Sequence, residues 1–117
     1  MVYLIDDDES VRRAFALFLS SANIDHQCFR SAAEFLSVYK AGKKDILVLD
    51  LNLPGMNGID LLRKIENPDS LLTVIVVTAN EEPINREFCR HYGVKAYLRK
   101  PVDAEALLDI ISFHIHA

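Results

Sequence analysis

The segment that most constrains the fold is the run Ile46–Asp50 and the residues that follow it. Four apolar residues lead directly into Asp50, and the turn-forming residues Pro54 and Gly55 come soon after. A short, unbroken apolar run is typical of a strand that is buried on both faces, as in a parallel sheet. We therefore expect Asp50 at the carboxyl end of a buried strand, which is the edge where open α/β sheets bind their ligands.

Strand-like and helix-like patterns alternate along the chain. The predicted strands are Val2–Ile5, His26–Phe29, Asp45–Asp50, Leu72–Thr78 and Lys95–Leu98. Each is followed by a predicted helix, whose inward residues are Val11, Phe15, Phe18 and Leu19 in the first, Phe35, Leu36 and Val38 in the second, Leu61, Leu62 and Ile65 in the third, Ile84, Phe88 and Tyr92 in the fourth, and Leu107, Ile110 and Ile111 in the fifth. Strict alternation predicts right-handed βαβ units and one five-stranded parallel sheet with helices on both faces.

Length and composition indicate one domain over residues 1–117. Half of the 117 residues are hydrophobic, which is enough to fill one core. The net charge of −4 argues against direct nucleic-acid binding, which usually needs a basic face. No apolar run approaches the roughly 18 residues of a membrane span. Cys28 and Cys89 lie far apart and show no metal-binding spacing, so we expect two reduced cysteines in a cytoplasmic protein.

The carboxyl ends of the predicted strands gather a group of charged and polar residues. They are Asp6 and Asp7 after the first strand, Asp50 at the end of the third, Thr78 at the end of the fourth and Lys100 after the fifth. Neighbouring carboxylates disfavour one another's ionisation unless a cation is bound between them. Oxygen ligands suit Mg²⁺, and a group without His or Cys argues against zinc.

Five sequence elements in this order resemble the receiver domain of two-component response regulators. They are Ile5-Asp6-Asp7, Asp50, the segment Leu53-Pro54-Gly55-Met56-Asn57-Gly58, Thr78-Ala79 and Lys100-Pro101. The resemblance covers the whole chain and implies a flavodoxin-like, doubly wound (βα)5 fold with strand order 2-1-3-4-5. It also implies a signalling switch rather than an enzyme, one that promotes only its own phosphorylation and dephosphorylation.

The resemblance assigns the chemistry to particular residues. Asp50 is expected to accept the phosphoryl group. Mg²⁺, for which Mn²⁺ is a substitute, is expected to bind Asp50, Asp7, the backbone carbonyl of Asn52 and, mostly through water, Asp6. Thr78 and Lys100 are expected to bond phosphoryl oxygens, as hydroxyl and ammonium donors. No further cofactor is implied.

Two more roles follow from the same resemblance. Thr78 and Tyr97 are expected to act as the conformational switch, although Tyr97 by itself is a common kind of half-buried strand residue. Asn52 and Asn80 lie two residues after Asp50 and Thr78, and are expected to tune dephosphorylation by flanking the path of the attacking water.

The implied partners are proteins. The phosphodonor is expected to be a phosphohistidine of a sensor histidine kinase or of a histidine phosphotransfer protein. The fourth helix, fifth strand and fifth helix are expected to form a face that docks partners or forms a homodimer; its candidate exposed residues are Arg86, Arg90, Tyr97, Arg99 and Asp109. The chain is either a free-standing receiver or the receiver part of a larger regulator.

Two other function classes share parts of this pattern. A phosphatase of the haloacid dehalogenase type also uses a strand-end Asp with Mg²⁺, but it needs an acid two residues later, where this chain has Asn52. A flavodoxin-type FMN binder needs a Ser/Thr/Gly-rich phosphate loop after the first strand. Here that loop contains the four acids Asp6 to Glu9, of which Asp8 and Glu9 are interpreted as helix-capping residues.

Overall fold

The computed structural model describes residues 1–53, 55–66, 70–79 and 83–115, with backbone alone at 83 and 84. Its elements are β1 (Val2–Ile5), α1 (Glu9–Ser21), β2 (His26–Phe29), α2 (Ala32–Val38), β3 (Ile46–Asp50), α3 (Gly58–Lys64), β4 (Thr73–Thr78), α4 (Pro83–His91), β5 (Ala96–Arg99) and α5 (Ala104–Ile115). The strands are parallel and lie in the order β2-β1-β3-β4-β5. This confirms the predicted flavodoxin-like fold.

Two hydrophobic cores lie on opposite faces of the sheet. Successive residues of a strand point to opposite faces, so Leu47 and Leu49 of β3 belong to one core and Ile46 and Val48 to the other. The first core is covered by α2, α3 and α4, and the second by α1 and α5. The sheet is therefore enclosed on both sides, and its strand ends are where polar side chains can gather.

Polar side chains at the helix starts explain several boundaries. Asp8 accepts a hydrogen bond from the Ser10 amide at 2.8 Å before α1, and Asn57 accepts one from the Asp60 amide at 2.9 Å before α3. These bonds satisfy amide groups that have no partner within the helix. Asp103 does the same for α5, where the Glu105 amide donates at 3.0 Å.

The structure differs from the sequence predictions around α2. Val38 was expected to face inward but is 47% exposed. The helix ends at this residue, and the ring of Tyr39 stacks on Phe35 at 5.0 Å, so Tyr39 covers the position expected for Val38. The strands β3 and β4 each begin one residue later than predicted, and β5 is Ala96–Arg99 rather than 95–98.

Two other helices are followed by a residue with a positive φ. Asn23 and Gly93 follow α1 and α4 with φ of 57° and 74°, respectively. A positive φ ends a helix, and glycine adopts it without a steric penalty. None of the helices within the described residues has the length and apolar character that a membrane crossing requires.

Candidate functional site

The loop after β1 places one buried and one exposed carboxylate side by side. Asp6 is fully buried, and its amide donates to the Phe29 carbonyl of β2 at 3.1 Å. Its Oδ1 atom accepts a hydrogen bond from the Asp8 amide at 3.0 Å. The side chain of Asp7 is exposed. The sheet thus fixes Asp6, while Asp7 stays accessible from solvent.

Asp50 ends the central strand and is 4% exposed. Its Oδ1 atom accepts a hydrogen bond from the Asn52 amide at 3.0 Å, which orients the carboxylate toward the loop. The first residue of α3 lies close to this loop, since the Gly58 amide donates to the Leu51 carbonyl at 3.2 Å. The carboxylate therefore lies on a short, tightly bonded connection between a core strand and the next helix.

Lys100 bonds to the aspartates at the carboxyl ends of β1 and β3. Its Nζ atom donates to Asp6 Oδ2 at 2.8 Å and to Asp50 Oδ2 at 3.1 Å. Burial by itself would lower the pKa of Lys100, but the hydrogen bonds to Asp6 and Asp50 and their negative charges outweigh it, and the pKa is raised above its ordinary value. Lys100 is therefore a protonated cation at neutral pH.

The three carboxylates are close enough to share one metal ion. One oxygen from each of Asp6, Asp7 and Asp50 lies within 4.8 Å of the others. Together with the Lys100 ammonium, three negative charges and one positive charge leave a formal net charge of −2. A set of carboxylate oxygens with this charge fits a hard divalent cation such as Mg²⁺.

The other predicted site residues lie around this group. Thr78 is fully buried at the end of β4, and its hydroxyl oxygen accepts a hydrogen bond from the Asn52 side-chain amide at 3.2 Å. Tyr97 is half-buried on β5, and the Arg86 guanidinium of α4 lies 5.0 Å from its ring centroid. The prediction for Asn80 falls outside the described residues.

The bond between Asn52 and Thr78 was not foreseen from the sequence. Both residues were assigned roles, but as separate groups. Their contact depends on the register in which Asp50 lies beside Val77, because this brings the loop after β3 next to Thr78 at the end of β4. The register of β3 and β4 cannot be predicted from the sequence alone.

Comparisons with known proteins agree with this geometry. The family model described as response regulator receiver domain matches residues 2–112. The chain is 30% identical over 111 residues to the DNA-binding transcriptional regulator NtrC of Escherichia coli K12, covering 95% of this chain and 24% of that protein. It is 32% identical over 111 residues to the transcriptional regulatory protein FixJ of Azorhizobium caulinodans, covering 94% of this chain and 52% of that protein.

Solved structures show the same likeness. A response regulator receiver domain protein (CheY-like) from Methanospirillum hungatei JF-1 superposes with a TM-score of 0.88 and 26% identity, over 96% of this chain and 90% of that one. The chain thus spans about a quarter of the NtrC relative and nearly all of a receiver domain. With its sheet order, its acidic strand ends and its lysine after β5, the chain belongs to the response regulator receiver domain family.

Proposed function

We propose that residues 1–117 form one receiver domain that acts as a phosphorylation-activated switch, with Asp50 as the phosphoacceptor. The observation that carries the proposal is the Lys100 ammonium bonded to both Asp6 and Asp50, with the exposed Asp7 beside them. It combines a nucleophile, a cation and an accessible metal ligand at one edge of the sheet. That edge is where ligands bind in open α/β folds.

The proposed reaction transfers a phosphoryl group to a carboxylate. An Asp50 oxygen forms a bond to phosphorus while the bond from phosphorus to the donor nitrogen breaks, and the imidazole keeps the electron pair. The product is an acyl phosphate. Lys100 already lies 3.1 Å from Asp50 Oδ2 and would exchange that partner for a phosphoryl oxygen, while the Thr78 hydroxyl would donate to another.

Mg²⁺ would be held by Asp7, Asp50, the Asn52 carbonyl and, mostly through water, Asp6. This division fits the burial, because Asp6 is fully buried and already bonded to Lys100, whereas Asp7 is exposed. When bound, the ion would offset negative charge on the phosphoryl oxygens. Mn²⁺ would fit the same oxygen ligands.

Hydrolysis of the acyl phosphate would be tuned by Asn52, together with Asn80. Asn52 is exposed, and its side-chain amide donates to the hydroxyl of Thr78, which is one of the residues proposed to bind the phosphoryl group. An amide there can orient a water molecule but cannot act as the acid that a phosphatase of the haloacid dehalogenase type needs. This supports a switch over an enzyme with an external substrate.

The donor would be a phosphohistidine on a sensor kinase or phosphotransfer protein. The face formed by α4, β5 and α5 would transmit the signal, by docking an output domain or a partner or by forming a homodimer. Arg86, Arg90, Arg99 and Asp109 are exposed, as expected for that face. Tyr97 was expected to be exposed on this face but is half-buried, with its hydroxyl oxygen buried. Its ring would turn further inward when Thr78 moves toward the phosphoryl group.

Labelling with a small phosphodonor tests the proposal. Radiolabelled acetyl phosphate should label the wild-type chain only when Mg²⁺ is present, and hydroxylamine should remove the label. Asp50→Asn should abolish it. Asp45→Asn is the matched control, because Asp45 is a buried aspartate that immediately precedes the opposite end of the same strand. Label that persists in Asp50→Asn, or that lies on a histidine, would exclude Asp50 as the acceptor.

A further inference from the structure

Both peptide groups that flank Asp7 are held by hydrogen bonds. The Arg12 guanidinium donates through Nη1 to the carbonyl oxygen of Asp6 at 2.9 Å, which holds the peptide before Asp7. The Asp6 carboxylate accepts from the Asp8 amide at 3.0 Å, which holds the peptide after it. Because each peptide is a rigid plane, these two bonds restrict the torsions of Asp7 and therefore the direction of its side chain.

Arg12 is itself fixed by α1. Its amide donates to the Asp8 carbonyl at 3.1 Å in the first turn, and its side chain is half-buried. Side chains on a helix point toward the helix N-terminus, so the guanidinium reaches back over the loop. A cation near this end of a helix opposes the helix dipole, and helix stability therefore does not account for an arginine at this position.

We propose that Arg12 is a positioning residue for the metal site. By holding the Asp6–Asp7 peptide it keeps the exposed Asp7 carboxylate beside Asp6 and Asp50, where the three can share one divalent cation. The inference rests on the proposed function, which supplies the metal. Its simpler alternative is that Arg12 only offsets the charge of the neighbouring acids; a charge at Arg13 would then serve nearly as well.

The test compares Arg12→Met with Arg13→Met by calorimetric titration with Mg²⁺. Methionine keeps an unbranched stem and removes both the charge and the donor. Arg13 is the matched control, because it is the next residue, has a 72% exposed side chain and pairs only with Glu9 among the described residues. Arg12→Met should weaken Mg²⁺ binding about 10-fold, the usual scale for a group that orients a metal ligand, and Arg13→Met should change it less than about 2-fold.

Two further measurements keep the inference testable. Arg12→Lys retains the charge but not the planar donor group; it should fold and bind Mg²⁺ about 3-fold more weakly than wild type. In the metal-free protein, exchange of the Asp8 amide proton, measured by NMR, should be faster in Arg12→Lys and Arg12→Met than in Arg13→Met. Wild-type affinity in Arg12→Lys, an equal change in the two methionine variants, or unchanged Asp8 exchange would overturn the positioning role. So would tighter Mg²⁺ binding in Arg12→Met, which is the effect of losing a nearby positive charge alone.

These results separate this inference from the proposed function. If wild type binds Mg²⁺ and the Arg12 variants bind it equally well, the positioning role is wrong and the metal site stands. If wild type does not bind Mg²⁺, the metal site itself is wrong. In that case the exchange of the Asp8 amide still decides whether Arg12 holds the loop.

Discussion

Lys100 neutralises part of the charge of Asp6 and Asp50, whereas Asp7 lies exposed beside them. The two buried carboxylates therefore already have a cation, and the remaining negative charge is accessible at Asp7. An ion that binds the folded chain but not the unfolded chain stabilises the folded state, because the binding residues are brought together only by folding. Mg²⁺ binding should thus be visible as a change in stability before any phosphoryl transfer takes place.

The first prediction concerns Asp7. Mg²⁺ at 100 times its dissociation constant should raise the free energy of unfolding of the unphosphorylated wild type by about 2.7 kcal/mol. Asp7→Ala should remove most of this gain, because it removes the exposed carboxylate of the cluster. Thermal unfolding followed by circular dichroism, with and without Mg²⁺, measures both. Glu9→Ala is the control, since Glu9 is an exposed acid of the same segment outside the cluster; an equal loss in both variants would contradict a specific site.

The sequence predicts single residues well where a strand end determines their position. Asp50 ends a strand, Asp6, Asp7 and Lys100 come directly after strands, and the structure brings the four together. Contacts that depend on side-chain direction were not predictable in this way. The bond from Arg12 to the Asp6 carbonyl is one, because a helix start alone does not show where a long side chain folds back.

Among the elements, β3 and α3 are joined by a tightly packed connection near the site. A Cβ atom added at Gly58 would lie 2.8 Å from Leu51 Cα and 2.6 Å from Leu51 Cδ2. The side chain can move, but the backbone of Leu51 is fixed by its place directly after β3. Any larger residue at Gly58 must therefore shift the loop that begins at Leu51, directly after Asp50.

The second prediction follows from this contact. Gly58→Ala should lower the free energy of unfolding by about 1–3 kcal/mol, as overpacking does, and should slow labelling of Asp50 by acetyl phosphate. Gly93→Ala is the contrast, because Gly93 has a φ of 74° with open space around its Cβ position, far along the chain from Asp50. Gly93→Ala should lower the free energy of unfolding by about 1 kcal/mol and leave the labelling rate unchanged. Urea unfolding and labelling kinetics measure the two effects, and a normal labelling rate in Gly58→Ala would contradict the role given to the junction.

Element types were predictable because the apolar periodicity is strong in both strands and helices. The boundaries of elements were less predictable where apolar residues stand at the end of an element. Val38 continues the helical pattern of α2, but Tyr39 stacks on Phe35 and ends the helix with an extended backbone. A pattern of apolar residues does not distinguish which of two neighbours will cover the core.

At the scale of the whole molecule, the acidic edge of the sheet is linked to the face formed by α4, β5 and α5. The Lys100 amide donates to the Thr78 carbonyl at 2.8 Å, and Thr78 lies beside Arg99 in the sheet. Two residues before Arg99, the Tyr97 ring lies under the Arg86 guanidinium of α4. A movement of Thr78 or Lys100 would therefore reach β5 and α4 through directly bonded or contacting groups.

The energy that the proposed switch needs is of the same order as the energy of the new bonds to the phosphoryl group. Shifting a two-state equilibrium from 1:99 to 99:1 takes about 5.5 kcal/mol of differential stabilisation. A new phosphoryl dianion can accept bonds from the Thr78 hydroxyl and the Lys100 ammonium, and hydrogen bonds to charged groups contribute about 1.5–3 kcal/mol each. Two such bonds would supply about 3–6 kcal/mol, from which the energy of the bond that Lys100 gives up at Asp50 must be subtracted.

We propose that a phosphoryl group on Asp50 changes the face formed by α4, β5 and α5. A map of amide NMR shifts with and without beryllofluoride and Mg²⁺, in wild type and in Asp50→Asn, tests this coupling. In wild type we expect changes at Asp7, Asp50 and Lys100 that extend through β5 to Tyr97 and α4, with none of these changes upon adding beryllofluoride to Asp50→Asn. Shifts confined to the loops at the acidic edge, or the same shifts in Asp50→Asn, would contradict the claim.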